Sequence, residues 1–155
     1  MRIAKLAIAV LLAAACSRSV KVETDPRTGR PDVDVQKAGA AENWTGTFNA
    51  VGGSGIAGTA TGTTTKDSTH VTINITGAQA GATLPWHVHD GKCTESAPIV
   101  GAASLYPPLV VGSDGRATGI AHLPMKLNEA KDYSINVHAS PTNMGTIVAC
   151  AAFTD

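Results

Sequence analysis

The sequence predicts an all-β fold, a Greek-key barrel or sandwich of about eight antiparallel strands. Three observations predict it. The chain holds 16 glycines and many threonines but only two each of Trp, Tyr and Phe, with its β-branched residues in short runs. Such a composition suits short strands and tight turns better than helices. Several runs also alternate polar and apolar residues, most cleanly HVTINITG, where Val71, Ile73 and Ile75 face one way and Thr72, Asn74 and Thr76 the other. One buried face and one wet face belong to an antiparallel sheet. Finally, no credible helix competes: LPMKLNEAKDY is short and carries Pro124 near its start, which favours loop or strand.

At 155 residues the chain is one domain plus extensions, long enough to bury a core without help from a metal. Net charge is zero and no basic stripe interleaves with aromatics, so no nucleic-acid partner is expected.

Residues 1–15 read as an export signal. MRIAK carries two positive charges, and LAIAVLLAAA is an apolar run too short to span a bilayer as a permanent helix. Two readings of the cleavage point stay open. AAAC resembles the lipobox of bacterial lipoproteins, with Ala13 where a large aliphatic residue is usual, and Cys16 would then be lipidated. Ordinary cleavage after Ala15 would instead leave Cys16 as a free thiol. Cysteine counting favours lipidation: Cys93 and Cys150 can pair in an oxidising compartment, and the third cysteine then needs its own reason.

Residues 16–42 are expected to form a lipidated cysteine and a flexible tether. The stretch from Ser17 holds ten of the chain's 24 charged residues, two prolines and no aromatic, so it has little apolar area to offset its ordering entropy. The opposing reading is an ordered arm in which VDV forms a short edge strand. A lipid anchor would hold the folded domain, residues 43–155, on a membrane face of the bacterial cell envelope, periplasmic or outer.

The strands follow in order. NWTGTFNAV and GIAGTATGTTT are joined by the glycine cluster GGSG, and HVTINITG comes next. After a GAQAG turn, ATLPWHVHD reads as one strand. LVVGSDGRATGIAHLP reads as a hairpin around Ser-Asp-Gly. YSINVHAS alternates again, and TIVACAAF is the apolar closing strand.

On a strand, residues i and i+2 share a face, so His87 and His89 project side by side while Trp86 and Val88 point away. Two imidazoles so placed can hold an ion, though an H-x-H pair alone is weak evidence. His138, on the alternating run Ile135 to His138, is a third candidate. His70 and His122 read as surface residues, Trp86 as core, and Asp90 and Glu95 as solvated loop charges rather than partners of a ligand. Met144 could offer a soft metal ion a thioether, but a lone methionine more often fills a gap in packing.

HVHDGKC, then SDGRA, NVHAS and VACAAF in that order, resemble the copper-zinc superoxide dismutase family. Upstream, GSGIAGTATGTTT, VTINITG and the approach to WHVH are similar to that family's opening strands, and the likeness spans residues 46–154. The resemblance implies that His87, His89 and His138 are three of four copper ligands, and that Cys93 and Cys150 form the intrasubunit disulfide. It also implies superoxide as substrate and leaves a homodimer open.

Three departures qualify that implication. The segment from Thr94 to Gly112 has no histidine and no aspartate, so the family's zinc ligands and its copper–zinc bridging histidine are missing, and zinc is not expected. Only eleven uncharged residues separate His138 from Cys150, where the family has a long charged loop. Ile147 stands where the family has its anion-binding arginine. Three imidazoles still suit one copper ion. Weakened steering would cost roughly ten- to a thousand-fold in association rate. Two readings result: a copper-only, slowed superoxide dismutase of the envelope, or a protein that binds, buffers or delivers copper to a donor or acceptor protein there.

Overall fold

A computed structural model describes residues 19–24, 31–36 and 41–155. The export signal and Cys16 lie outside the described residues. The chain divides into two units, residues 1–40 and 41–155. In the first, β1 (Ser19–Thr24) and β2 (Pro31–Gln36) pair antiparallel, with Ser19 opposite Gln36 and Thr24 opposite Pro31. VDV thus lies in a strand, as the ordered-arm reading has it, within the segment also read as a tether.

The second unit is all-β. Its strands are β3 (Glu42–Ala50), β4 (Ala57–Thr64), β5 (Thr69–Thr76), β6 (Thr83–Leu84), β7 (Trp86–His89), β8 (Leu109–Val110), β9 (Ala117–Leu123), β10 (Tyr133–Ser140) and β11 (Asn143–Phe153). Its only helical element is a single 3-10 turn at Ala103–Leu105. Seven strands form one curled antiparallel sheet in the order β7-β10-β11-β3-β4-β5-β9, and β6 pairs with β8. β11 lies beside β3 and β9 beside β5, the long returns of a Greek-key arrangement. The all-β barrel or sandwich expected from the sequence is what the chain forms.

Alternation builds the core where the sequence places it. Val71, Ile73 and Ile75 on β5 are buried while His70 and Asn74 are exposed, and Ala117, Gly119, Ala121 and Leu123 do the same on β9. Trp44, Trp86, Phe153, Ile135 and Val137 are among the largest fully buried side chains. LPMKLNEAKDY contains no helix.

Two sequence expectations are corrected. ATLPWHVHD is not one strand: it breaks at Pro85, so β6 pairs with β8 while β7 pairs with β10. Proline has no N–H for a ladder, and its carbonyl instead accepts the His138 N–H at 2.8 Å. Likewise, Ser-Asp-Gly makes the expected turn, with Gly112 N–H donating to the Arg116 carbonyl at 2.8 Å. The flanking strands do not form a hairpin ladder, however, because β8 joins β6 and β9 joins β5. The turn fixes the chain reversal, and burial of the β9 face against the β5 side of the core selects its partner.

Candidate metal centre

β7 and β10 run antiparallel with Asn136 opposite His87 and Ser134 opposite His89. One face of this pair carries Trp86, Val88, Ile135 and Val137, all at 0% exposure, into the apolar core. The other face carries His87, His89, Ser134, Asn136 and His138, every one polar and buried. A two-sided buried strand is normally apolar throughout, so five buried polar side chains on one face call for a chemical explanation.

His138 reaches the site through an irregularity. Register shifts flank it on β10, between Val137 and His138 and between His138 and Ser140. Such bulges re-aim a side chain. The result is a cluster in which one ring nitrogen from each of His87, His89 and His138 lies within 4.8 Å of the others. His87 Nδ1 and His138 Nε2 are 3.2 Å apart. Imidazole nitrogens about 2.0–2.1 Å from a shared ion in trigonal or tetrahedral geometry sit about 3.3–3.6 Å from each other. The pair already has nearly that spacing, and the His89 nitrogen lies within 4.8 Å of both.

His89 is oriented from outside. Its Nδ1–H donates to the Ala97 carbonyl at 2.8 Å, which leaves the Nε2 lone pair free. That Nε2 is buried without a hydrogen-bond partner, as are His138 Nδ1, Ser134 Oγ and Asn136 Oδ1. A buried nitrogen that accepts nothing is costly unless a cation faces it, and a carbonyl fixing the far ring nitrogen is the usual support of a metal-bound histidine. The donor set therefore fits a metal ion. Only neutral imidazole can ligate, and the site favours that form. Burial, followed by the charges of His138 and His89, pulls His87 down to about 4. Burial also lowers His138, with the His89 charge assisting and the Met144 backbone opposing.

Cys93 and Cys150 are joined, with an S–S distance of 2.07 Å and a sequence separation of 57. The bridge ties the segment after His89 to β11, where Cys150 faces Asn136 across the ladder. The same segment returns along β7, with Val100 N–H donating to the Val88 carbonyl at 2.9 Å and Asp90 N–H to the Pro98 carbonyl at 3.0 Å. The covering segment thereby holds the Ala97 carbonyl over His89.

Other sequence candidates fall outside the cluster. Asp90 pairs with Lys131, and Glu95 Oε2 accepts the Lys92 N–H at 3.0 Å, so neither bonds a histidine. Met144 lies on β11 rather than in a loop, with an exposed side chain. Ile147 stands directly opposite His138 on β11, half-buried beside the site. Sequence reasoning missed Tyr106, Ser134 and Asn136. The Tyr106 ring packs edge-on against both His87 (centroids 5.3 Å apart) and Trp86 (5.2 Å). Its hydroxyl donates to the Val100 carbonyl at 2.6 Å. The signal for Ser134 and Asn136 was their spacing: they sit four and two residues before His138 on its own face.

A scan against family models finds no match for this chain, and a search of curated proteins finds none either. What fold and site define is a β-barrel-type domain with a buried three-histidine cluster able to bind a metal ion.

Proposed function

We propose that His87, His89 and His138 hold a single copper ion and that the protein disproportionates superoxide in the bacterial cell envelope. The carrying observation is the unpartnered, buried Nε2 of His89, fixed from behind by the Ala97 carbonyl and aimed beside a pair of ring nitrogens 3.2 Å apart. Imidazole accommodates both copper(I) and copper(II), whereas no carboxylate or thiolate in the cluster selects a harder or softer ion. The segment from Thr94 to Gly112, where the family's second site draws its ligands, holds no histidine and no aspartate.

Copper, when bound, would supply a one-electron couple, so that two superoxide anions and two protons yield one dioxygen and one hydrogen peroxide. The chain's residues account for the rest. His89 is held by Ala97, the Tyr106 ring shields His87, and among the described residues the cluster gathers only the three histidines and no carboxylate to act as an acid. Protons then come from water. With Ile147 opposite His138, nothing cationic replaces the family's arginine, which makes the reaction slower than in a complete enzyme of the kind it resembles. Anchoring through Cys16, and dimer formation, belong to the same proposal.

A second reading has its own support. The three ligands are only 4–8% exposed, which suits retaining or handing over copper as well as reacting with a diffusing anion. Stopped-flow superoxide decay with the copper-loaded protein separates the two, with His138→Ala as control. Decay above the free-copper background that disappears in the variant supports catalysis. Copper retention without such decay transfers the protein to copper binding and delivery.

A further inference from the structure

A second pair of histidines is placed by the sheet, on strands that carry none of the cluster. His70 on β5 and His122 on β9 are directly opposite each other in the ladder. Both are exposed on the outward face, alternating with the buried Val71, Ala121 and Leu123. Their rings stack, with centroids 4.3 Å apart and 9° between planes. From this geometry we infer a second, solvent-facing metal site, a cross-strand chelate in which His70 and His122 each give one ring nitrogen to a divalent first-row transition cation.

Directly opposed residues of an antiparallel pair have Cβ atoms about 4.5–5.5 Å apart, within reach of a shared ligand for long side chains. In the stacked arrangement each ring's lone pairs lie in its own plane, so the two nitrogens converge on one ion only when the rings turn out of the stack. Exposed side chains rotate freely enough to bring them together, and water completes the shell. Thr63 lies opposite His70 on β4, and Thr72 and Ile120 form the next row of the same face. These adjoining positions hold no lysine or arginine to repel a cation. Two imidazoles rank divalent ions with copper above nickel and zinc. An open two-ligand site exchanges its ion faster than a buried three-ligand one, so the face is suited to transient capture. This inference does not rest on the copper or superoxide reading, since zinc alone tests it.

The test uses the full chain and Zn²⁺, followed by the histidine ring-proton resonances and by calorimetry. In the wild-type protein the His70 and His122 ring protons shift together as Zn²⁺ is added. In His87→Ala/His138→Ala, which disables the buried cluster, one equivalent of Zn²⁺ still binds and raises the thermal midpoint, because the ion ties β5 to β9. Adding His70→Thr or His122→Gln to that background weakens this binding by about 100-fold or more, given that even the outer partners of metal ligands are worth 10–100-fold. Ring protons of His70 and His122 that stay unmoved in the wild type overturn the assignment, whatever the variants do. Zn²⁺ binding that survives both added substitutions overturns it equally.

Discussion

Replacing both bridging cysteines, Cys93→Ser with Cys150→Ser, perturbs two levels of the structure by separable amounts. The bridge closes a loop of 57 residues. Chain-entropy reasoning values that closure at about 4 kcal/mol of stability. Domains are typically stable by about 5–15 kcal/mol, so the variant folds with a reduced margin. The second effect is local. Cys93 anchors the segment that carries Ala97, whose carbonyl holds the His89 ring at 2.8 Å. Freed at one end, that carbonyl no longer fixes the ring, and metal affinity falls by about 10–100-fold. Denaturant unfolding of the metal-free protein measures the first effect, and competition with a chromophoric copper chelator, well below the thermal transition, measures the second. Reduced stability with undiminished copper affinity would refute the claim that the bridged segment orients His89.

Three further predictions concern the same region. The metal-free protein should lose stability as pH falls from about 6.5 toward about 4. His87 stays neutral there when folded and protonates when unfolded, with a slope near 1.4 kcal/mol per pH unit for that residue, readable by urea titration at stepped pH. Stability independent of pH across that window would show that His87 is not kept neutral by burial. Gly119→Ala should cost about 1–3 kcal/mol of overpacking. Its added Cβ would lie 2.8 Å from Trp86 Nε1 and 2.9 Å from Leu109 Cδ2, and a thermal midpoint unchanged from wild type would contradict the packing described for β7. Tyr106→Phe removes the hydroxyl bond to Val100 and should lower stability by about 1 kcal/mol while leaving copper stoichiometry at one, as measured by metal analysis after dialysis.

Fold and candidate site were legible to different depths. Alternation named the buried face of β5 correctly because a half-wet sheet writes its period directly into the residues. It set His87 and His89 side by side because i, i+2 spacing survives any tertiary context, whereas His138 entered as a third candidate through its own alternating run and the family resemblance. It failed at strand partners. Pro85 marks where ATLPWHVHD breaks, but nothing local says that its halves pair with β8 and β10, and a Ser-Asp-Gly turn specifies a reversal but not which strand lies alongside afterwards. Tyr106 escaped notice because its place over His87 depends on the path of a long covering segment. Ser134 and Asn136 escaped because on β10 both faces are buried, so polarity no longer marks the wet side.

The proposed function stands on three imidazoles forming one copper site. A crystal structure of the full chain with one equivalent of copper tests it most directly. The prediction is a single ion about 2.0–2.1 Å from His87 Nδ1, His89 Nε2 and His138 Nε2, a distance typical of metal–imidazole bonds. Copper bound elsewhere, or a cluster whose His87–His138 contact of 3.2 Å persists unmetallated beside saturating copper, would contradict it.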